Sequence, residues 1–144
     1  MIRTILVALD RSTRAPHVLE VATDLASRYH ARLVLIRAIA IPPDFAPAAH
    51  VDHPDGLEPF LRDEARREVE EMASSVHLAS VEKVVVAVGE PWRVILDVAE
   101  RSVVDLIVVG SHWYSGLDRL LGTTAAKVVN HARHNVLVVR DPAV

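Results

Sequence analysis

Residues 107–129, IVVGSHWYSGLDRLLGTTAAKVV, change their hydrophobic period in mid-stretch, from that of a strand to that of a helix. Ile107, Val108 and Val109 are consecutive, β-branched and apolar on both faces, as in a strand buried on both sides of a parallel sheet. From Thr123 the pattern becomes helical: Ala125, Val128, Val129 and Ala132 fall on one face, and His or Arg stands at the end, where a cation suits the helix dipole. Between the two lie Gly110, Ser111, Ser115, Gly116, Gly122, Thr123 and Thr124, which include three of the five glycines of the 144-residue chain.

The same strand-then-helix unit repeats on either side. The apolar runs TILVAL (4–9), RLVLIRAIAI (32–41), VEKVVVAV (81–88), VVDLIVVG (103–110) and NVLVVR (135–140) are short and rich in β-branched residues. Helical spacing separates them. Val18, Ala22, Leu25 and Tyr29 form one stripe, with Ser12 or Thr13 as a cap and Pro16 in the first turn. Leu61, Ala65, Val69, Met72 and Val76 form a second stripe, opposite a densely charged face. A third, Val94, Ile95, Val98 and Ala99, follows Pro91. The order β-α-β-α-β-α-β-α-β predicts an α/β domain over 1–144: a parallel sheet with helices on both faces and ligands outside the carboxyl ends of the strands. Residues 41–59 interrupt the rhythm, holding five of the eight prolines and no period, and are read as a flexible loop or flap.

Composition narrows the function. At 51% hydrophobic and 4% aromatic, the core must be aliphatic. With no cysteine there is no disulfide or thiolate metal site. A formal charge of −3, with Lys and Arg spread along the chain, argues against nucleic acid or an anionic membrane as partner. MIRTILVALD is too short an apolar run for a signal peptide, and no stretch approaches the length needed to span a bilayer, so the expectation is a soluble cytoplasmic protein.

The sequence holds neither the P-loop pattern nor G-x-G-x-x-G, and no G-x-S-x-G elbow. A phosphate can nevertheless be held by small residues, hydroxyls, bare amides and a helix N-terminus, all of which Gly110, Ser111, Gly122, Thr123 and Thr124 supply. The alternative is that Gly110 ends a strand and Thr123 or Thr124 caps a helix. Asp10, in VALDRST, can accept from ribose hydroxyls or hold Mg2+ beside phosphates, or it is a turn residue. His112 can donate to a phosphate, or lie in a polar turn. His50 and His53, beside Asp52 and Asp55, lack a third ligand at helical spacing, and no metal site is expected there.

The blocks ILVALDRS, GEPWRVILDVAERSVVDLIVVGS, GLDRLLGTTAAKVVNHA and NVLVVR, in that order along nearly the whole chain, resemble the universal stress protein family. The resemblance implies a three-layer α/β/α fold, adenine nucleotide alpha hydrolase-like, with a five-stranded sheet of order 3-2-1-4-5. It also implies ATP (or AMP or ADP) as ligand, with Mg2+ carried through the phosphates. Ala8, Leu9 and Asp10 would lie beside ribose and adenine, Ala38 at the adenine edge, and Gly110 and His112 near ribose or phosphate. Gly122, Thr123, Thr124 and Ala125 would hold the phosphates. In the family's nucleotide-binding pattern a second glycine stands three residues after the first; here Trp113 takes that place, and eight residues rather than nine separate it from Gly122. The family also implies a homodimer through the last strand, 135–140. The expected function is a nucleotide-binding stress-response or regulatory protein with little or no turnover. The alternatives are an interaction module whose pocket Trp113 blocks, and a slow ATPase using His112 and Asp10.

Overall fold

The run TILVA becomes strand β1 (Thr4–Ala8), and its four leading residues are buried because helices cover both of its faces. The computed structural model describes residues 1–40, 56–74, 80–111 and 122–140. Along these follow α1 (Ala15–Tyr29), β2 (Arg32–Ile39), α2 (Leu57–Ser74), β3 (Val81–Val88), α3 (Pro91–Arg101), β4 (Leu106–Ser111), α4 (Thr123–His131) and β5 (Asn135–Arg140).

The strands form one sheet of order β3-β2-β1-β4-β5, every pair parallel. Alternation along the central strands divides the core in two. Ile5, Val7, Leu33, Leu35 and Val108 meet the buried stripe Val18, Leu19, Ala22 and Ala26 of α1 and Val69 and Ala73 of α2. Leu6, Val34, Ile36, Ile107 and Val109 meet Val94, Ile95, Val98 and Ala99 of α3 and Ala125 and Val128 of α4. The three-layer architecture and strand order expected above are therefore present. The two starts at the sheet centre are also tied together: Asp105 Oδ2 accepts from the amides of Arg3 (2.8 Å) and Thr4 (3.0 Å), joining the head of β4 to that of β1. Those two N–H donors hold the Asp105 carboxyl below its usual range.

The structure corrects several details. Tyr29 is half exposed and Val129 is 43% exposed, because the buried stripes turn instead through Ala15, Leu19 and Ala26 on α1 and end at Val128 on α4. Val76 lies outside the described residues. Neither Ser12 nor Thr13 caps α1. Arg14 holds the cap position but does not cap the helix with its side chain, while Ser12 accepts the Arg14 amide on its hydroxyl at 3.3 Å and the Ala15 amide on its carbonyl at 3.2 Å. The run 103–110 starts its strand only at Leu106, since Val103 has φ 50° and ends the preceding helix. β3 and β5 are apolar but only partly buried, because edge strands have a neighbour on one side alone. Residues 57–59 belong to α2, and 41–55 lie outside the described residues.

Candidate functional site

β1 and β4 are neighbours, but the chain leaves them toward opposite faces: α1 follows β1 on one side and α4 follows β4 on the other. Their carboxyl ends part, and a crevice of about 280 Å3 opens between them. Its floor is Ala8, Ile36, Ala38 and Val109, and its side wall is Pro91 and Ile95 of α3. Leu9, Asp10 and Gly110 form the rim, and Gly122, Thr123, Thr124 and Ala125 bring the start of α4 to it. Nine of the ten residues singled out in the sequence thus converge on one hollow, from segments over a hundred positions apart. The tenth, His112, lies outside the described residues, as do Trp113, His50 and His53. Ile36, Pro91, Ile95 and Val109 were missed as lining residues because their apolar periodicity reads simply as core.

The start of α4 is suited to a negative charge. The first intrahelical bond runs from the Ala126 amide to the Gly122 carbonyl at 2.9 Å, so the amides of Thr123, Thr124 and Ala125 precede the helical ladder. No acidic residue stands in the first turn, leaving the positive end of the helix dipole uncancelled locally. Gly122 itself donates to the buried Ser111 hydroxyl at 3.3 Å, which holds the helix start against the end of β4. Gly122 has φ −57°, a value open to any residue, so backbone conformation does not require glycine there.

Gly110 has a different reason. It lies inside β4 rather than at its end, and a Cβ on it would come within 2.9 Å of Val18 Cγ2 on α1. Close packing of α1 on the sheet, on the face away from the crevice, is what excludes a side chain at 110. Asp10 is an Asx-turn residue, its Oδ1 accepting from the Ser12 amide at 2.9 Å.

The sequence reading passed over Arg37, hidden inside the run RLVLIRAIAI. It is 4% exposed on β2, and an arginine so deeply buried must be fully paired. Its Nε donates to the Leu9 carbonyl (2.7 Å), one terminal nitrogen to the Asp10 carbonyl (2.9 Å), and the other to Glu68 Oε2 on α2 (2.8 Å). The Arg37 guanidinium holds the Glu68 carboxyl below its ordinary range, with help from Arg11, 2.9 Å away. A charged residue amid the eight apolar residues 33–36 and 38–41 was the signal available in the sequence.

Beside the Pro91 wall, α3 and α4 are clamped by a surface cluster. Trp92 lies 4.7 Å from the His131 ring, Arg93 stacks over it at 4.8 Å, and Glu90 accepts from Arg93 (3.1 Å) and Lys127 (3.4 Å). The nearby Trp92 N–H, with Lys127 and Arg93, holds the Glu90 carboxyl below its usual range, though among the described residues this N–H reaches no partner at hydrogen-bond geometry.

Comparison with known proteins agrees with this architecture. The model of the universal stress protein family matches residues 1–140. Universal stress protein A homolog 2 of Coxiella burnetii is 36% identical over 134 residues, covering 93% of this chain and 90% of that one. Universal stress protein UspA from Lactobacillus plantarum superimposes with a TM-score of 0.72 at 26% identity, over 96% of this chain and 98% of that one. A universal stress protein in complex with cAMP has a TM-score of 0.66 at 24% identity, over 96% and 97% of the two chains. One from Archaeoglobus fulgidus in complex with dAMP has 0.58 at 20%, over 96% and 98%. The latter two, at these identities, speak for a shared fold.

Proposed function

The chain belongs to the universal stress protein family, and on that premise we propose that the crevice binds an adenine nucleotide, ATP foremost, with little or no turnover. The observation that carries this reading is the pairing, in one hollow, of an apolar floor with an uncommitted helix start. Ala8, Ile36, Ala38 and Val109 offer a flat aliphatic surface for a base, and the small side chain of Ala38 lets main chain approach its edge. Asp10 stands on the rim as acceptor for ribose hydroxyls, and Gly122, Thr123, Thr124 and Ala125 hold the phosphates through amides and hydroxyls. Neighbours of the same fold are known with cAMP and with dAMP, which supports adenine as the base.

Mg2+ fits as a rider on the phosphates rather than in a protein cage. Among the described residues no three His, Asp or Glu side chains gather to hold an ion, while Asp10 offers a carboxylate and Thr123 and Thr124 offer hydroxyls at the crevice. When bound, the ion neutralises phosphate charge; the chain's own residues bind and orient. No described group is placed as a paired general base, which is why turnover is expected to be slow at most. The setting proposed is cytoplasmic; among the described residues no helix is long and apolar enough to cross a membrane.

The test is a thermal melt titrated with AMP, ADP and ATP, with and without Mg2+, beside analysis of nucleotide released on denaturation. Ligand at about a hundred times its dissociation constant adds about 2.7 kcal/mol, or roughly 5–10 °C for a chain of this size. Gly122→Val should remove that shift while keeping the fold, because its φ suits valine and a branched side chain at this lining position would crowd the phosphates. An unchanged melt for the parent protein at millimolar ATP would overturn the reading.

A homodimer through β5 forms the second part of the proposal. β5 is a sheet edge whose Val136, Leu137 and Val138 are only partly buried, and pairing with a two-fold mate would cover it. Sedimentation at micromolar concentration should give twice the 15.8 kDa chain mass; a monomer there would rule it out.

A further inference from the structure

We propose that Arg37 is the positioning residue of the crevice, a buried guanidinium that fixes the main chain at Leu9 and Asp10 and thereby sets the rim carboxylate. The inference rests on the nucleotide reading for its ligand, but its geometry stands apart from it. After Ala8 the chain leaves the sheet, and the Leu9 amide is its last ladder contact, donating to the Ile36 carbonyl at 2.9 Å. Beyond that bond the carbonyls of Leu9 and Asp10 have left the sheet ladder. Arg37 takes both, at 2.7 and 2.9 Å, from the face of the sheet opposite the crevice.

Two donors of one planar group on two successive carbonyls fix a peptide plane as well as a position, which a lysine's single point of charge does not do. The third donor anchors the fork: Glu68 on α2 accepts it at 2.8 Å, and Arg11, immediately after Asp10, reaches the same carboxylate at 2.9 Å. The turn after β1 is thus gripped on both sides of Asp10, with α2 as the fixed support. Ser12 completes it, donating its amide to Asp10 Oδ1 at 2.9 Å. The arrangement gives Asp10 a defined place on the rim, where discrimination between a ribose and a 2′-deoxyribose would be made.

The experiment compares the parent protein with Arg37→Lys and with the double variant Arg37→Met/Glu68→Leu. The double variant removes the buried charge and its partner together, so that folding survives loss of the fork. Two readouts are taken: hydrogen exchange at the amides of Leu9 and Ser12, and affinities for ATP and 2′-deoxy-ATP. Expected are faster exchange at Leu9 and Ser12 with the core strands unchanged. The affinity for ATP should fall about tenfold, as for loss of a charge-assisted contact, with a much smaller change for the deoxy form. Arg37→Lys should recover exchange protection only in part. Unchanged exchange at both amides in the double variant would overturn the proposal, and so would equal losses for the two nucleotides. If the parent binds neither nucleotide, the proposed ligand is wrong, and the exchange data alone decide the role of Arg37.

Discussion

At the scale of single residues, the two crevice glycines are glycine for different reasons. Gly122 has an ordinary φ and, on the reading proposed above, lies where a phosphate would approach, whereas Gly110 is held bare by Val18 across the opposite face of the sheet. Gly110→Ala should therefore destabilise by about 1–3 kcal/mol through overpacking, and Val18→Ala in the same chain should restore most of the loss. Urea unfolding of the two single variants and the pair measures this; a strictly additive cycle would mean that Val18 is not the obstacle. Arg37 teaches the complementary lesson. A chemical oddity was visible in the run 32–41, but its partners at Leu9, Asp10 and Glu68 were not, since nothing local specifies which carbonyls a buried guanidinium will meet.

Among elements, helix ends are where local rules and the structure diverge. α3 closes with the Val104 amide on the Ala99 carbonyl at 3.3 Å and Val103 at φ 50°, a left-handed position that usually falls to glycine. Val103 is 80% exposed, so its side chain offers little packing in return for the strain. Val103→Gly should raise stability by about 1 kcal/mol, or roughly 2–4 °C in the midpoint of a thermal melt. A lower midpoint would show that the exposed valine packs in a way its burial does not reveal. The helices themselves were legible: Val94, Ile95, Val98 and Ala99 all face inward as their spacing demands. Tyr29 and Val129 were misplaced because a stripe continued at fixed spacing runs past the point where the sheet stops covering it.

At the scale of the molecule, three carboxylates among the described residues are held below their ordinary range: Glu68 by Arg37, Glu90 by Trp92 and Lys127, and Asp105 by the amides of Arg3 and Thr4. Because each folded pKa lies below the unfolded one, about 3.9 for Asp and 4.3 for Glu, the unfolded chain binds more protons in the interval between. Their stabilisation is complete above the unfolded values and is lost as pH falls through the folded ones. The urea midpoint should thus drop steeply below about pH 4. Asp105→Asn should lower the neutral plateau by on the order of 1 kcal/mol and make the acid fall shallower. An acid limb identical to the parent's would exclude Asp105 from the linkage.

Hydrophobic period and composition were enough to give the order of the elements, their parallel class and the aliphatic core, because period is a property of neighbouring residues. Family resemblance added the strand order and, at the crevice, Ala8, Leu9, Ala38 and Ala125, beside Asp10, Gly110, Gly122, Thr123 and Thr124, which residue chemistry had already marked. It took the folded chain to place α1 and α4 on opposite faces of the central strands and so open the hollow. It alone set Arg37 beneath Asp10 and Val18 against Gly110. Those contacts depend on the register between strands and on how closely each helix settles on the sheet, and both are fixed by packing across distant segments rather than by any local stretch of chain.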